Sequence, residues 1–281
     1  MDDLKKSGEC LKSFCKINIF LKVLSKRKDG FHNIFSYIVP LNFYDEIYFE
    51  EIKEGIELET IGANILKEEN LVYKGARKLF EYSKNKRGIK IRIIKNVPLG
   101  SGLGGGSSNC ATALKYLNKF WDCNLDKKKL MEIGLNIGSD IPFFIDGKPA
   151  FVSGRGEKIV HKKISLKFPK KIVLFVPPIS VSTKDVYNGF DILNKKRERF
   201  IKKEFLENLS FENLKNDLQD AAFFVYPKLK DVYYEIKKTK PEFLILSGSG
   251  SSFWGFYENE EKEEKAKKHL TKSLKFYILS F

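Results

Sequence analysis

The sequence predicts an α+β protein, on three observations. Strand-like alternation recurs in the first hundred residues, most clearly where Ile89, Ile91 and Ile93 alternate with Lys90 and Arg92. Helical spacing interrupts it at Asn70 to Tyr82 and again after a glycine-rich run. Strands and helices then mix without a regular βαβ repeat, which favours α+β over a doubly wound sheet. A chain of 281 residues is long enough to bury a sizeable core in one large domain or two smaller ones.

Taken in order, Phe14 to Leu24 is apolar with polar interruptions, and Asp45 to Glu50 is short and rich in β-formers. With Ile89 to Ile93 they are expected in one sheet. Between them, Leu71, Gly75, Leu79 and Tyr82 sit at helical spacing behind Asn70, a good N-cap. A second helix is expected from near Ser107, because Cys110, Ala113, Leu114, Leu117 and Trp121 share a face, and that stripe reads as ordinary core. The chain changes character at Phe168 to Lys171, so the expected domains are 1–166 and 167–281. The second opens on the apolar strand Ile172 to Val176, which ends at Pro177-Pro178. A charged helical stretch from Lys195 to Leu209 follows, then a helix from Tyr226 to Lys238 and the strand Phe243 to Leu246. A Ser/Gly turn, the strand Ser252 to Tyr257 and a last helix from Glu260 complete the chain.

Composition narrows the class. No apolar run reaches the ~20 residues of a membrane span, and Met1 to Leu11 is charged, so a cytoplasmic protein without a membrane partner is expected. Cys10, Cys15, Cys110 and Cys123 form no CxxC pair and no Cys/His cluster, which argues for reduced thiols rather than a zinc or redox site. The net charge of +15 suits either a nucleic-acid binder or an enzyme of anionic substrates. Its basic residues are dispersed in runs such as Lys127-Lys128-Lys129 and Lys195 to Arg199, the pattern of a solvated surface. A nucleic-acid module would also leave the glycine run and Asp140 unexplained, so no nucleic-acid partner is expected.

The segment from Val97 and Pro98 through Gly100, Ser101, Gly102, Leu103, Gly104, Gly105, Gly106, Ser107 and Ser108 to Asn109 is the most informative. Glycines between a strand and a helix let backbone N–H groups crowd around an anion, and the helix N-terminus adds its positive dipole end. Gly100, Gly102 and Gly105 also satisfy the dinucleotide pattern, which needs a parallel βαβ unit and an acid ~20 residues on. Asp122 reads instead as the turn after the helix. No Lys-Ser/Thr pair closes the run, which excludes a Walker loop.

Three further segments draw notice. Gly138-Ser139-Asp140-Ile141-Pro142-Phe143-Phe144 offers a lone acid before an apolar run, ordinarily a cap or turn residue. Lys16 and Asn18 share a strand face. Ser247-Gly248-Ser249-Gly250-Ser251-Ser252 is a second small-residue turn, either a plain hairpin loop or a place where backbone approaches a ligand closely.

Together these segments resemble the GHMP kinase superfamily, named for galactokinase, homoserine kinase, mevalonate kinase and phosphomevalonate kinase, nearly end to end. Within it they are most similar to the family acting on 4-diphosphocytidyl-2-C-methyl-D-erythritol in the non-mevalonate isoprenoid route. The carrying motifs are Pro98 to Asn109, Cys15 to Asn18, Asp29-Gly30-Phe31-His32, Ser139 to Phe144 and Ser247 to Ser251. Phe31 stands where the family usually has Tyr, and Cys15 and Ser101 where it has Ala.

The resemblance implies a two-domain GHMP kinase fold, with an N-terminal ribosomal protein S5 domain 2-like part, a C-terminal ferredoxin-like part and the active site in the cleft between them. It implies ATP and Mg²⁺, the metal being carried by ATP, and a monomer or weak homodimer. It makes Asp140 the base with Lys16 as its partner. Pro98, Gly100, Gly102, Leu103, Gly104, Gly105, Gly106, Ser107, Ser108, Asn70 and Lys95 fall to ATP, and Asn18, Phe31, His32, Tyr187, Ser247, Gly248, Ser249 and Gly250 to a cytidine diphosphate substrate. A side chain at Gly104 or Gly105 is expected to obstruct the phosphates.

Overall fold

The computed structural model describes residues 8–193, 206–207 and 209–280, so most of the expected helix at Lys195–Leu209, and the whole Lys195 to Arg199 run, lie outside the described residues. The chain forms two compact units. The first comprises Met1–Cys15, so far as described, with Phe43–Leu99 and Gly104–Lys148; the second comprises Lys16–Asn42, Gly100–Leu103 and Pro149–Phe281.

Two long paired strands, β1 (Glu9–Lys26) and β2 (His32–Ile52), contribute residues to both units. Both exceed the stretches expected from sequence, for different reasons. Every residue from Cys15 to Leu21 is buried, which erases the period of two, and Pro40 inside β2 reads as a strand breaker.

In the first unit the C-terminal half of β2 runs antiparallel to β4 (Gly88–Ile94), pairing Glu46 with Ile94 and Ile52 with Gly88, and β3 (Ile56–Ile61) lies parallel to β4. Alternation along β4 buries Ile89, Ile91 and Ile93. Helix α1 (Leu71–Phe80) starts where expected, the Asn70 carboxamide oxygen accepting from Val72 N at 2.9 Å. It packs on α2 (Gly105–Phe120) at Gly75, where a Cβ would lie 2.7 Å from Cys110 Sγ. The apolar face of α2 is core, with Cys110, Leu114, Leu117 and Trp121 fully buried. Asp122, at φ 51°, turns the chain into α3 (Lys127–Ile137) and then α4 (Ile141–Asp146). With a helix following α2 rather than a parallel strand, the dinucleotide alternative loses its βαβ unit.

In the second unit the N-terminal half of β2 pairs antiparallel with β5 (Ala150–Gly154), and β5 with β6 (Lys158–Val160). A separate antiparallel sheet has the order β10-β7-β9-β8, from β7 (Lys171–Val176), β8 (Phe243–Leu246), β9 (Phe253–Phe256) and β10 (Lys275–Ser280). Helices α5 (Thr183–Leu193), α6 (Gln219–Val225), α7 (Pro227–Lys238) and α8 (Glu260–Leu270) accompany it. Val173, Phe175, Phe253 and Leu246 from the strands join Val186, Phe190, Leu229 and Ile236 from the helices in one apolar core. No helix of the described residues is long and apolar enough to cross a membrane.

Candidate active site

The glycine run leaves β4 and ends in α2, which begins at Gly105, two residues before the expected start. Gly104 occupies the N-cap at φ 70° and ψ 18°, a left-handed conformation that L side chains disfavour, and no side chain caps the first turn. The leading amides of α2 therefore combine with the dipole as an anion cradle. Its glycines differ in surroundings. A Cβ on Gly106 would meet only Leu71 Cδ1, at 3.8 Å, whereas one on Gly105 would press on Val97 Cγ1 at 2.9 Å and Lys95 Nζ at 3.2 Å. A side chain at Gly105 thus disturbs the protein's own packing, and Gly106 is the open position.

A buried polar network underlies this turn. The Lys95 ammonium pairs with the Asp45 carboxylate and donates to Asn109 Oδ1 at 3.1 Å. Asp45 also accepts from Asn96 N at 2.7 Å, Val97 N at 2.8 Å and Asn109 Nδ2 at 2.9 Å. Asn109 Nδ2 donates to Ser13 Oγ at 3.0 Å, Ser13 Oγ to Ser108 Oγ at 2.7 Å, and Ser108 Oγ to the Phe14 carbonyl at 2.6 Å. Because every bond is internal, the fully buried Asp45 charge is compensated, and the segment joining β4 to α2 is fastened to β1 and β2. The Lys95 charge is thereby held against Asp45, beside the first turn of α2. Asn70, besides capping α1, donates to Thr60 Oγ1 at 3.3 Å.

Asp140 occupies the N-cap position of α4, at φ −85° and ψ −12°, yet its side chain makes no capping bond. Nearby, a Cβ on Gly138 would lie 3.6 Å from Ser107 Oγ, so the segment leading to Asp140 runs against the first turn of α2.

In the second unit, Lys16 and Asn18 do share a face of β1: Lys16 Nζ donates to Asn18 Oδ1 at 2.6 Å, and both are buried. Asn18 Nδ2 donates to Ser36 Oγ at 2.7 Å, and the Trp254 indole N–H to the Asn18 carbonyl at 2.9 Å. Gly248 lies against this pair, a Cβ there falling 3.1 Å from Lys16 Nζ. The front of the glycine run is bound to the same region by Val181 N to Gly100 O, Ser252 N to Ser101 O and Lys16 N to Leu103 O, each 3.0 Å. Ser247 Oγ adds a bond to the Gly102 carbonyl at 3.3 Å. A Cβ on Gly102 would sit 2.1 Å from the Ser247 carbonyl oxygen. The 247–252 turn is a hairpin loop between β8 and β9, and the close backbone approach that its small residues permit is to Gly102. Ser249 Oγ bonds Thr183 Oγ1 at 2.9 Å, and Gly250 has φ 91°.

His32 and Tyr187 come together as a stack, with centroids 4.8 Å apart at 23°, while Phe31 is 45% exposed with the Arg155 guanidinium 4.0 Å above its ring. His32 Nε2 meets Asp191 Oδ1 at 2.8 Å, and Lys26 Nζ donates to Asp191 Oδ2 at 2.6 Å. Sequence reasoning missed Asp45, Ser13, Arg155 and Asp191. The usable signal was for Asp191, which follows Tyr187 by four residues on α5 and so shares its face. Asp45 offered none, being a single acid within a strand.

Comparison with known proteins agrees with this architecture. Residues 70–148 match the GHMP kinases N terminal domain. The 4-diphosphocytidyl-2-C-methyl-D-erythritol kinase of Clostridioides difficile (strain 630) is 36% identical over 274 residues, covering 94% of this chain and 92% of its own length. The enzyme of that name from Thermodesulfovibrio yellowstonii is 38% identical, covering 92% of each. A crystal structure of 4-(cytidine 5'-diphospho)-2C-methyl-D-erythritol kinase superposes with a TM-score of 0.79 at 27% identity, over 97% of this chain and 98% of that one. Methanococcus jannaschii mevalonate kinase, at 16% identity and a TM-score of 0.65 over 99% of both chains, shares the fold. A two-unit α+β chain whose glycine run opens a helix, and whose likeness to these kinases runs through both units, belongs to the 4-diphosphocytidyl-2-C-methyl-D-erythritol kinase family of GHMP kinases.

Proposed function

We propose that this chain is a kinase that transfers the γ-phosphoryl group of ATP to the 2-hydroxyl of 4-diphosphocytidyl-2-C-methyl-D-erythritol, in the non-mevalonate route to isoprenoid precursors. The observation that carries the reading is the uncapped N-terminus of α2, built from glycines, in a chain of this family. Phosphoryl transfer asks a protein mainly for positioning and charge neutralisation. The amides of Gly105, Gly106 and Ser107 hold phosphate oxygens, and the buried Asp45–Lys95–Asn109 network keeps their geometry fixed. Gly100, Gly102 and Leu103, held by their own backbone bonds, complete the loop.

Asp140 accepts the proton of the attacking hydroxyl, a role supported by the proximity of its segment to Ser107. Lys16, bonded to Asn18 and lying beside Gly248, supplies positive charge to the developing anion. His32, Tyr187 and Phe31 receive the cytosine. Mg²⁺ supplies neutralisation of the phosphates when bound.

An ATP-consumption assay across the cytidine-bearing erythritol, homoserine, mevalonate and galactose tests the reading. Turnover with the first alone is expected; turnover with another and not the first overturns it.

A further inference from the structure

We infer that Asp191 determines base specificity by fixing the tautomer of His32, so that an amino-bearing base, cytosine, is preferred to its oxo counterpart, uracil. The inference rests on the reading above that His32 faces the base of the substrate.

The contacts all lie within the second unit. Asp191 Oδ1 is 2.8 Å from His32 Nε2, and a carboxylate can only accept, so the proton of this bond sits on Nε2. Its other oxygen is engaged by Lys26 Nζ at 2.6 Å, so Asp191 acts as an acceptor on both sides. The imidazole is 7% exposed and held by the stack on Tyr187 and by the edge of Phe190, with centroids 6.4 Å apart at 88°. A ring so confined does not readily flip to exchange its nitrogens. In the neutral imidazole, with its proton on Nε2, Nδ1 carries a lone pair, and it makes no hydrogen bond among the described residues. The 4-amino group of cytosine can donate to that lone pair. The 4-oxo group of uracil presents a second acceptor, which leaves both groups unpaired, and a site built around one hydrogen bond discriminates strongly against an analogue that cannot make it. Helix α5 supplies both the stacking ring and the orienting carboxylate, from positions 187 and 191 of one face.

The experiment compares kcat/KM for the cytidine-bearing substrate and its uridine counterpart, in the wild type and in Asp191→Ala. The wild type is expected to favour cytidine by about 100-fold. Asp191→Ala should lose about tenfold on cytidine, through KM, without losing on uridine. Equal losses on both substrates would overturn the inference and leave Asp191 a structural residue. A wild type indifferent to the base would overturn the cytosine reading itself, and so marks a different failure. A second measurement needs neither turnover nor a variant fold: long-range ¹H–¹⁵N correlation on wild-type protein, with three histidines to resolve. His32 is expected as the Nε2–H tautomer, and an Nδ1–H signature would refute the proposal.

Discussion

Truncating Asp45 to alanine puts the network beneath the phosphate loop to its sharpest test. Its carboxylate accepts from Lys95 Nζ, Asn109 Nδ2, Asn96 N and Val97 N, and it is fully buried. Asp45→Ala leaves an ammonium with 4% side-chain exposure unpaired and three N–H groups without this acceptor. Removing one partner of a buried pair costs about 3–5 kcal/mol. Lys95→Met is milder, because three donors still serve the carboxylate. The double variant removes both charges of this pair, so its loss should fall short of the sum of the singles by about 1–3 kcal/mol. The two tryptophans make the measurement local: Trp121 belongs to the first unit and Trp254 to the second. In a Trp254→Phe background, urea unfolding followed by Trp121 fluorescence reports the unit that contains Asp45. With a urea m-value of about 2–3 kcal/mol/M, a loss of about 4 kcal/mol lowers the midpoint by about 1.3–2 M. A midpoint shift under about 0.3 M, or strictly additive singles, would refute the argument that this charge pair holds the loop's foundation.

Other expectations are more direct. Asp140→Asn should lower kcat by about 10²- to 10⁴-fold while calorimetry finds ATP affinity largely intact, and near-normal turnover would remove Asp140 as the base. Gly106→Val should abolish ATP binding in a protein of nearly wild-type Tm, whereas Gly105→Val should lower Tm as well, because its side chain meets Val97; equal Tm losses would contradict the packing described. Tyr187→Ala should raise KM for the cytidine-bearing substrate by about 5- to 150-fold with a smaller effect on kcat, and an unchanged KM would refute the cytosine pocket. Cys10 is exposed and the other three thiols are buried, with burial pushing Cys110 and Cys123 upward. Ellman's reagent should therefore titrate one thiol rapidly in the native protein and all four after unfolding; fast release of more than one would contradict this burial.

Much of the second sheet and several helices were legible because their signals are local. Asn70 capped the helix it was expected to cap, and Phe243–Leu246 is the expected strand, since a cap and a short apolar run need few distant partners. The start of α2 was misread by two residues because its cap is a left-handed glycine rather than the serine that sequence rules favour. Short α4 went unnoticed, since six residues show little periodicity. Glycines identified the loop, but the identity of its supports was not legible. Asp45 and Lys95 are 50 residues apart, and only the pairing of β2 with β4 brings their strands together. The same holds for His32 and Asp191, 159 residues apart.

The anchored glycine run also bears on the thermodynamic signature of nucleotide capture. Four of its carbonyls, at Gly100, Ser101, Leu103 and Gly104, accept backbone bonds from the protein itself. Ordering a disordered segment at the moment of association costs about 1–2 kcal/mol per residue, so a slack loop of this length would consume much of a nucleotide's intrinsic affinity. A loop stitched in place at folding has met that entropy loss beforehand. Association should then proceed in a single fast phase, without a slow ordering step, and with a heat-capacity change no larger than the buried contact surface requires.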